Sequence, residues 1–338
     1  MNSQLHELLL TKKNTVELQT RNIEAPAAHD VGVRNSVSLI SPGTELALYT
    51  GTHIGFKDPD ITWAEYPIRP GYASIGKIEA IGEAVMNFRV GDMVLHYQPH
   101  ADYSLVDTRK AQLFKLPPDI EPQQALFARF GQIAYTAVAA SQKTDGYVLV
   151  YGGGIVGNLC AQIFLHRKNR PVILADISTA RLALAHKCGI HTCINPAVED
   201  IGTALSKKSH EAGVNTVVEA TGVPALVESA LENVNLQGEV VLLGSTRGRV
   251  ELDVYKMIHR KATMVIGAHE SRFPLFGNST EQKSQHFFST DVLSMIASQI
   301  IKVTPFITDS VTPDRVSHAY QMLIDDPDTH IGVLINWN

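Results

Sequence analysis

The sequence predicts an α/β protein: a doubly wound parallel sheet joined to a second, strand-rich domain. Three observations carry this. Up to about residue 116 the chain is rich in Gly, Pro and Thr with short apolar alternations at 36–40, 75–81 and 93–95, a strand-and-turn signal without long helices. Six apolar runs then recur, at 147–151, 171–175, 191–194, 216–219, 240–243 and 264–266. Four of the gaps between them hold amphipathic segments of helical length, such as 178–187 and 224–233. Near-continuous apolar strands alternating with helices imply a parallel sheet covered on both faces. The third observation is a glycine cluster directly after the first of those runs.

The elements follow in order. Pro42-Gly43, Pro70-Gly71, Gly82-Glu83 and Val90-Gly91-Asp92 mark turns in the first block. After Pro117-Pro118 a helical stretch at 122–140 leads into the alternating block. The tail from 303 reads strand, helix (313–324), strand (332–335), and the last strand has the character of the first block. The expected division is therefore 1–129 with 273–338 as one domain and 130–272 as the other.

At 338 residues the chain is long enough for two ordinary domains, each with its own core. Its 29 Lys+Arg against 34 Asp+Glu leave a net charge of -5, so no overall field draws nucleic acid or an anionic membrane surface. Three cysteines, Cys160, Cys188 and Cys193, form no CxxC pair. That excludes a disulfide framework and a cysteine-ligated structural zinc. No stretch approaches the roughly 18 apolar residues of a membrane helix, and residues 1–7 do not read as a secretory signal, so a cytoplasmic address is expected.

Gly152-Gly153-Gly154-Ile155-Val156-Gly157 is a G-x-G-x-x-G read on Gly152, Gly154 and Gly157. It follows a strand, opens a helix, and is succeeded 19 residues later by an acid, Asp176, at the end of a second strand. The first glycine makes the tight turn and the second admits a pyrophosphate to the backbone. The third lets the helix press on the sheet, with the amides of Ile155 and Val156 in its first turn. Asp176 can accept from the adenosine ribose hydroxyls and would repel a 2′-phosphate, which favours NAD over NADP; it can also cap the helix starting near Ser178. Arg181 lies one helical turn further on. Ala220-Thr221-Gly222 and Leu243-Gly244-Ser245 stand just past later strands, where open α/β sheets bind ligands.

The order of parts resembles the medium-chain dehydrogenase/reductase superfamily, the alcohol and polyol dehydrogenases, over nearly the whole chain. The likeness rests on Pro42-Gly43-Thr44-Glu45, Gly71-Tyr72-Ala73-Ser74-Ile75-Gly76, Val90-Gly91-Asp92, the glycine motif, Asp176, and Val218-Glu219-Ala220-Thr221-Gly222. The resemblance implies a Rossmann domain and a GroES-like catalytic domain, an active site in the cleft between them, and a homodimer or homotetramer whose subunits extend their sheets through 264–269. Zinc members carry Cys-Gly-Thr-Asp, Gly-His-Glu and a third ligand before the domain-linking helix. Here those places hold Pro42, Tyr72 with Ala73, and Arg129, so a member without metal is expected. Residues 40–76 also look like a zinc-lacking branch that includes hydroxyethyl bacteriochlorophyllide dehydrogenases.

Without a metal, a side chain must manage the carbinol proton. Tyr72 stands at a ligand position. Arg129 would favour its phenolate and steady an alkoxide, unless it pairs with Glu45, and Thr44 takes the place of the family's proton-relay hydroxyl. His96, Gln98 and His100 alternate and would share one face of an extended segment, with His100 beside Asp102 as a second candidate base. Glu45, His53, His96 and Gln98 complete the candidate substrate wall. The expected activity is NAD-dependent, zinc-independent oxidation of a secondary alcohol, polyol or sugar-like small molecule. A zinc-free quinone or enoyl reductase, or a silent NAD(H)-binding sensor, is the alternative.

Overall fold

The computed structural model describes residues 4–277 and 283–337. Two compact units result: Met1–Arg129 with Phe306–Asn338, and Phe130–Pro305.

The first unit begins with β1 (Gln4–Lys12), β2 (Thr15–Asn22), β3 (Asp30–Leu39), α1 (Thr44–Tyr49), β4 (Ser74–Ile81), β5 (Met93–His96), β6 (Tyr103–Asp107), β7 (Leu113–Lys115) and α2 (Pro122–Ala125). Helix α3 (Phe127–Ala140) contains the division between Arg129 and Phe130. The second unit carries β8 (Tyr147–Tyr151), α4 (Ile155–Arg167), β9 (Val172–Ala175), α5 (Thr179–Lys187), β10 (Cys193–Ile194) and α6 (Ile201–Lys208). It continues with β11 (Val214–Glu219), α7 (Pro224–Asn233), β12 (Val234–Leu242), β13 (Met264–Gly267) and α8 (Gln285–Ala297). The chain returns to the first unit for β14 (Ile307–Val311), α9 (Val316–Asp325) and β15 (Gly332–Asn336).

In the first unit, among the described residues, a sheet runs β14-β15-β3-β4-β5-β7, with β6 pairing β3 and β1-β2 a separate antiparallel hairpin. Val316, Ala319, Tyr320 and Leu323 of α9, spaced i, i+3, i+4, i+7, are all buried. They pack with Leu8, Leu10, Ile40, Leu48, Val333 and Ile335, each apolar side chain worth about 1.5–3 kcal/mol when fully withdrawn from water. The C-terminal strand is thereby welded to the N-terminal block.

In the second unit six parallel strands run β10-β9-β8-β11-β12-β13 among the described residues. All six apolar runs of the sequence are strands. Val148, Leu149 and Val150 of β8 are inaccessible to solvent, the condition a central strand between two helical layers demands. Strand order reverses between β8 and β11, and the crevice at their carboxyl ends is where such sheets take ligands.

The sequence placed the return to the first unit at 273, whereas the structure places it at Phe306. Helix α8 accounts for the difference. Phe288 stacks on Tyr135 of α3 at 4.6 Å, and a Cβ on Gly131 would lie 2.4 Å from Val292, so the two helices meet backbone to side chain within the second unit.

Candidate active site

The glycine turn joins β8 to α4 in a way only this residue pattern allows. Gly152 has φ of +103°, the left-handed region, and a Cβ on Gly157 would stand 2.0 Å from the carbonyl oxygen of Gly152. Above Gly154, which caps α4, nothing lies within 4 Å of a Cβ position. The turn thus has open space beside the first amides of a 13-residue helix, the arrangement that receives a pyrophosphate.

Asp176 stands beside this turn. Its Oδ2 accepts from the Gly153 amide at 2.6 Å and its Oδ1 from the Ser178 amide at 2.8 Å, with Arg181 Nη1 3.9 Å from Oδ2. Each carboxylate oxygen keeps a second lone pair for a ribose hydroxyl. The cap of α5 is Ser178, whose hydroxyl accepts from the Arg181 amide, so Asp176 is not the cap. Glu219, a residue the sequence reading gave no role, organises the next turn. Fully buried at the end of β11, it accepts from the Thr221 amide at 2.7 Å, from the Thr221 hydroxyl, and from the Gly222 amide at 3.1 Å. An acid ending an apolar strand before Ala220-Thr221-Gly222 was the available signal. Leu243 and Gly244 are tied to the same corner, both amides donating to the Glu219 carbonyl, and Ser245 is exposed beyond them.

In the first unit Tyr72, Arg129 and Thr44 come together. The Arg129 guanidinium lies 5.0 Å from the centroid of the Tyr72 ring and 5.0 Å from that of Tyr97, held between two aromatic faces. The Tyr72 hydroxyl donates to Ser41 Oγ and is hydrogen-bonded with Thr44. Burial raises the Tyr72 pKa above its ordinary value, and Glu45 raises it further; the bonds to Ser41 and Thr44 and the charge of Arg129 pull the other way without winning. Arg129 thus pulls towards the phenolate, but desolvation outweighs the cation and leaves the Tyr72 pKa raised. Ser41 and Tyr97 are functional candidates the sequence reading missed.

His100 is not an accessible base. Its ring is fully buried, with Nδ1 2.8 Å from Ser38 Oγ and Nε2 3.0 Å from Glu45 Oε2, and Asp102 pairs instead with His6. Glu45 is equally enclosed, accepting also from the Ser41 amide at 2.7 Å and the Tyr320 hydroxyl at 3.2 Å. These bonds remove Glu45 from the substrate wall, and its oxygens are engaged without Arg129. His96, Gln98 and His100 do not share a face because β5 ends at His96. His96 is buried against Asn35 at 2.7 Å, and burial holds its pKa down to about 3. Gln98 is half-buried and its amide donates to His96 Nδ1; His53 is buried with Nδ1 accepting from the Gly55 amide and its ring against Trp63.

The second unit thus has a parallel six-stranded sheet with a glycine turn and an acid at the next strand end, and the first unit has a strand-rich fold with a cluster of hydroxyls. A family model described as zinc-binding dehydrogenase matches residues 156–282. An L-threonine 3-dehydrogenase of Shewanella woodyi is 28% identical over an alignment of 225 residues that covers 57% of this chain and 65% of that relative. The match thus spans about two thirds of that relative's length. A short chain alcohol dehydrogenase from E. coli CFT073, solved in complex with NADH, superposes with a TM-score of 0.82 at 21% identity, over 99% of this chain and 100% of the other. 2R,3R-butanediol dehydrogenase from Bacillus subtilis does so with a TM-score of 0.81 at 19% identity, over 99% and 100%. These matches support the medium-chain dehydrogenase/reductase superfamily.

Proposed function

We propose that this protein is an NAD-dependent, zinc-independent alcohol dehydrogenase acting on a secondary alcohol, polyol or sugar-like small molecule. The observation that carries the reading is the hydroxyl cluster of Thr44, Tyr72 and Ser41 under the charge of Arg129. Dehydrogenase relatives and neighbours support the reaction type.

Zinc does not fit the residues at this place. Pro42 and Ala73 offer no ligand atom, the Tyr72 hydroxyl is committed to Ser41, and a guanidinium stands 5.0 Å from its ring. Among the described residues no group of three His, Cys, Asp or Glu is placed to hold a metal ion. NAD does fit: the turn at Gly152, Gly154 and Gly157, the amides of Ile155 and Val156, Asp176 with Arg181, and the turns at Ala220–Gly222 and Leu243–Ser245 would hold it. When bound it supplies the hydride acceptor, and the net reaction releases one proton to water.

This chain's own residues orient the carbinol oxygen while that proton leaves to water. Thr44 Oγ1 accepts the carbinol hydrogen bond, Tyr72 accepts from Thr44, and Ser41 accepts from Tyr72. Arg129 provides fixed positive charge where the oxygen becomes negative. Fixed charge and hydrogen bonds aimed at a developing oxyanion are worth about 10² to 10³ fold, on the order of 3 to 4 kcal/mol of barrier. A homodimer or homotetramer joined through β13, the edge strand with Val265 exposed, completes the proposal.

The test is NADH formation from NAD with a panel of secondary alcohols and polyols, with and without a strong chelator. Turnover insensitive to chelation is expected. Activity abolished by the chelator and restored by zinc refutes the metal-free mechanism, and tight NADH binding with no turnover refutes the enzyme.

A further inference from the structure

Ser41 touches neither substrate nor cofactor in the mechanism above, yet its surroundings fix it tightly. It is buried at the corner between β3 and α1, and its amide donates to Glu45 Oε1 at 2.7 Å. Glu45 is itself held by His100 at 3.0 Å and by Tyr320 at 3.2 Å. These bonds hold the Ser41 backbone in place, and its Oγ accepts the hydrogen of Tyr72.

We propose that Ser41 is a positioning residue that sets the direction of the Thr44–Tyr72–Ser41 hydroxyl chain, so that the site meets its substrate as a hydrogen-bond acceptor and selects alcohols over the corresponding ketones. The inference rests on the proposed function and deepens it. A tyrosine has one hydroxyl hydrogen. Given to Ser41, it leaves Tyr72 Oη able only to accept, and the Thr44 hydrogen goes there. Thr44 Oγ1 then presents lone pairs alone. A carbinol O–H satisfies them, whereas a ketone oxygen faces another acceptor, and an unmatched polar contact of this kind is costly in an enclosed site. Removing the Ser41 acceptor frees the Tyr72 hydrogen to point at Thr44. The Thr44 hydrogen then points at the substrate, and the polarity reverses.

The test compares wild type, Ser41→Ala, Ser41→Gly and Ser41→Thr, with 2,3-butanediol and NAD in one direction and acetoin and NADH in the other. Thermal melting of each variant is recorded alongside. Ser41→Ala should raise the KM for the diol and lower that for acetoin, moving their ratio about tenfold or more. The fixed overall equilibrium makes the shift a split of KM against kcat. Ser41→Thr, which keeps an acceptor, should restore the wild-type ratio, and Ser41→Gly should repeat the alanine result if alanine folds poorly. Both KM values moving together, or an equal loss of kcat in both directions, means a merely structural role and overturns the inference. Tyr72→Phe separates the two levels. Full turnover by Tyr72→Phe sinks the proposed mechanism and the inference with it, while impaired Tyr72→Phe beside an unchanged ratio in Ser41→Ala sinks the inference alone. Where the wild-type protein turns over another alcohol of the panel faster, that alcohol and its ketone replace the pair.

Discussion

His100 Nε2 lies 3.0 Å from Glu45 Oε2, with both side chains shut off from solvent. The same carboxylate receives the Tyr320 hydroxyl of α9 and the Ser41 amide, so one buried acid ties the C-terminal helix, the β3–α1 corner and the loop after β5. A cradle also exists for the histidine: a Cβ on Gly71, at φ +94°, would stand 2.5 Å from the His100 ring.

Glu45→Ala should therefore destabilise the protein strongly, because it leaves three donors buried without an acceptor. A loss of about 3–5 kcal/mol is expected in urea unfolding, against about 1–2 kcal/mol for Glu45→Gln, which keeps one oxygen. An alanine variant within 1 kcal/mol of wild type would show that water replaces the carboxylate and that the network is dispensable.

His96 sets an acid limit. Burial holds its pKa down to about 3, below the unfolded value near 6.5. The folded state thus excludes the charged form. The stability this gives is fully present above about pH 6.5 and is lost as pH falls from there towards 3, at about 1.4 kcal/mol per unit. Over that window the loss is on the order of 4–5 kcal/mol. Urea midpoints measured between pH 7 and 4 should fall in wild type and fall less in His96→Gln; parallel slopes would remove His96 as the cause.

The six parallel strands and the glycine turn were legible because they are local: each run is apolar throughout, and the turn sits between a strand and a helix within about ten residues. The Tyr72, Arg129 and Thr44 grouping was reached only through likeness to a family, since its members are far apart in sequence. What failed was non-local. An alternating His96-x-Gln98-x-His100 looks like one face of a strand, but β5 stops at His96 and tertiary partners from β3 and α1 claim both imidazoles. The raised pKa of Tyr72 was equally hidden, because desolvation depends on neighbours from distant segments. Ser41 carried no signal beyond preceding a Pro-Gly turn.

The cysteines should be inert. Burial raises the Cys160 thiol far above its ordinary range, pushes Cys188 up to about 12 and Cys193 to about 11. A raised thiol pKa means less thiolate at a given pH, and thiolate is the reactive form. At pH 8 a disulfide reagent should label the native protein at least about a hundredfold more slowly than a free thiol, with Cys193, the half-buried one, reacting first. Rapid labelling of Cys160 would contradict the packing of α4 against the sheet.

Asp176 is the proposed selector of the cofactor. Its charge favours ribose hydroxyls and repels a 2′-phosphate, and Arg181 lies 3.9 Å away. Asp176→Asn removes the negative charge while keeping one acceptor for either the Gly153 or the Ser178 amide. Binding of NADH should weaken about tenfold, as one charged hydrogen bond is worth about 1.5–3 kcal/mol and is only partly replaced. NADPH should bind better, because the Arg181 charge is no longer offset by the carboxylate and can meet the phosphate. Fluorescence titration with both cofactors gives the ratio of their dissociation constants. A ratio that moves towards NADPH by tenfold or more supports Asp176 as the selector. An unchanged ratio with a weakened turn would mean that Asp176 serves only to fold the glycine loop, and that selection lies elsewhere in the second unit.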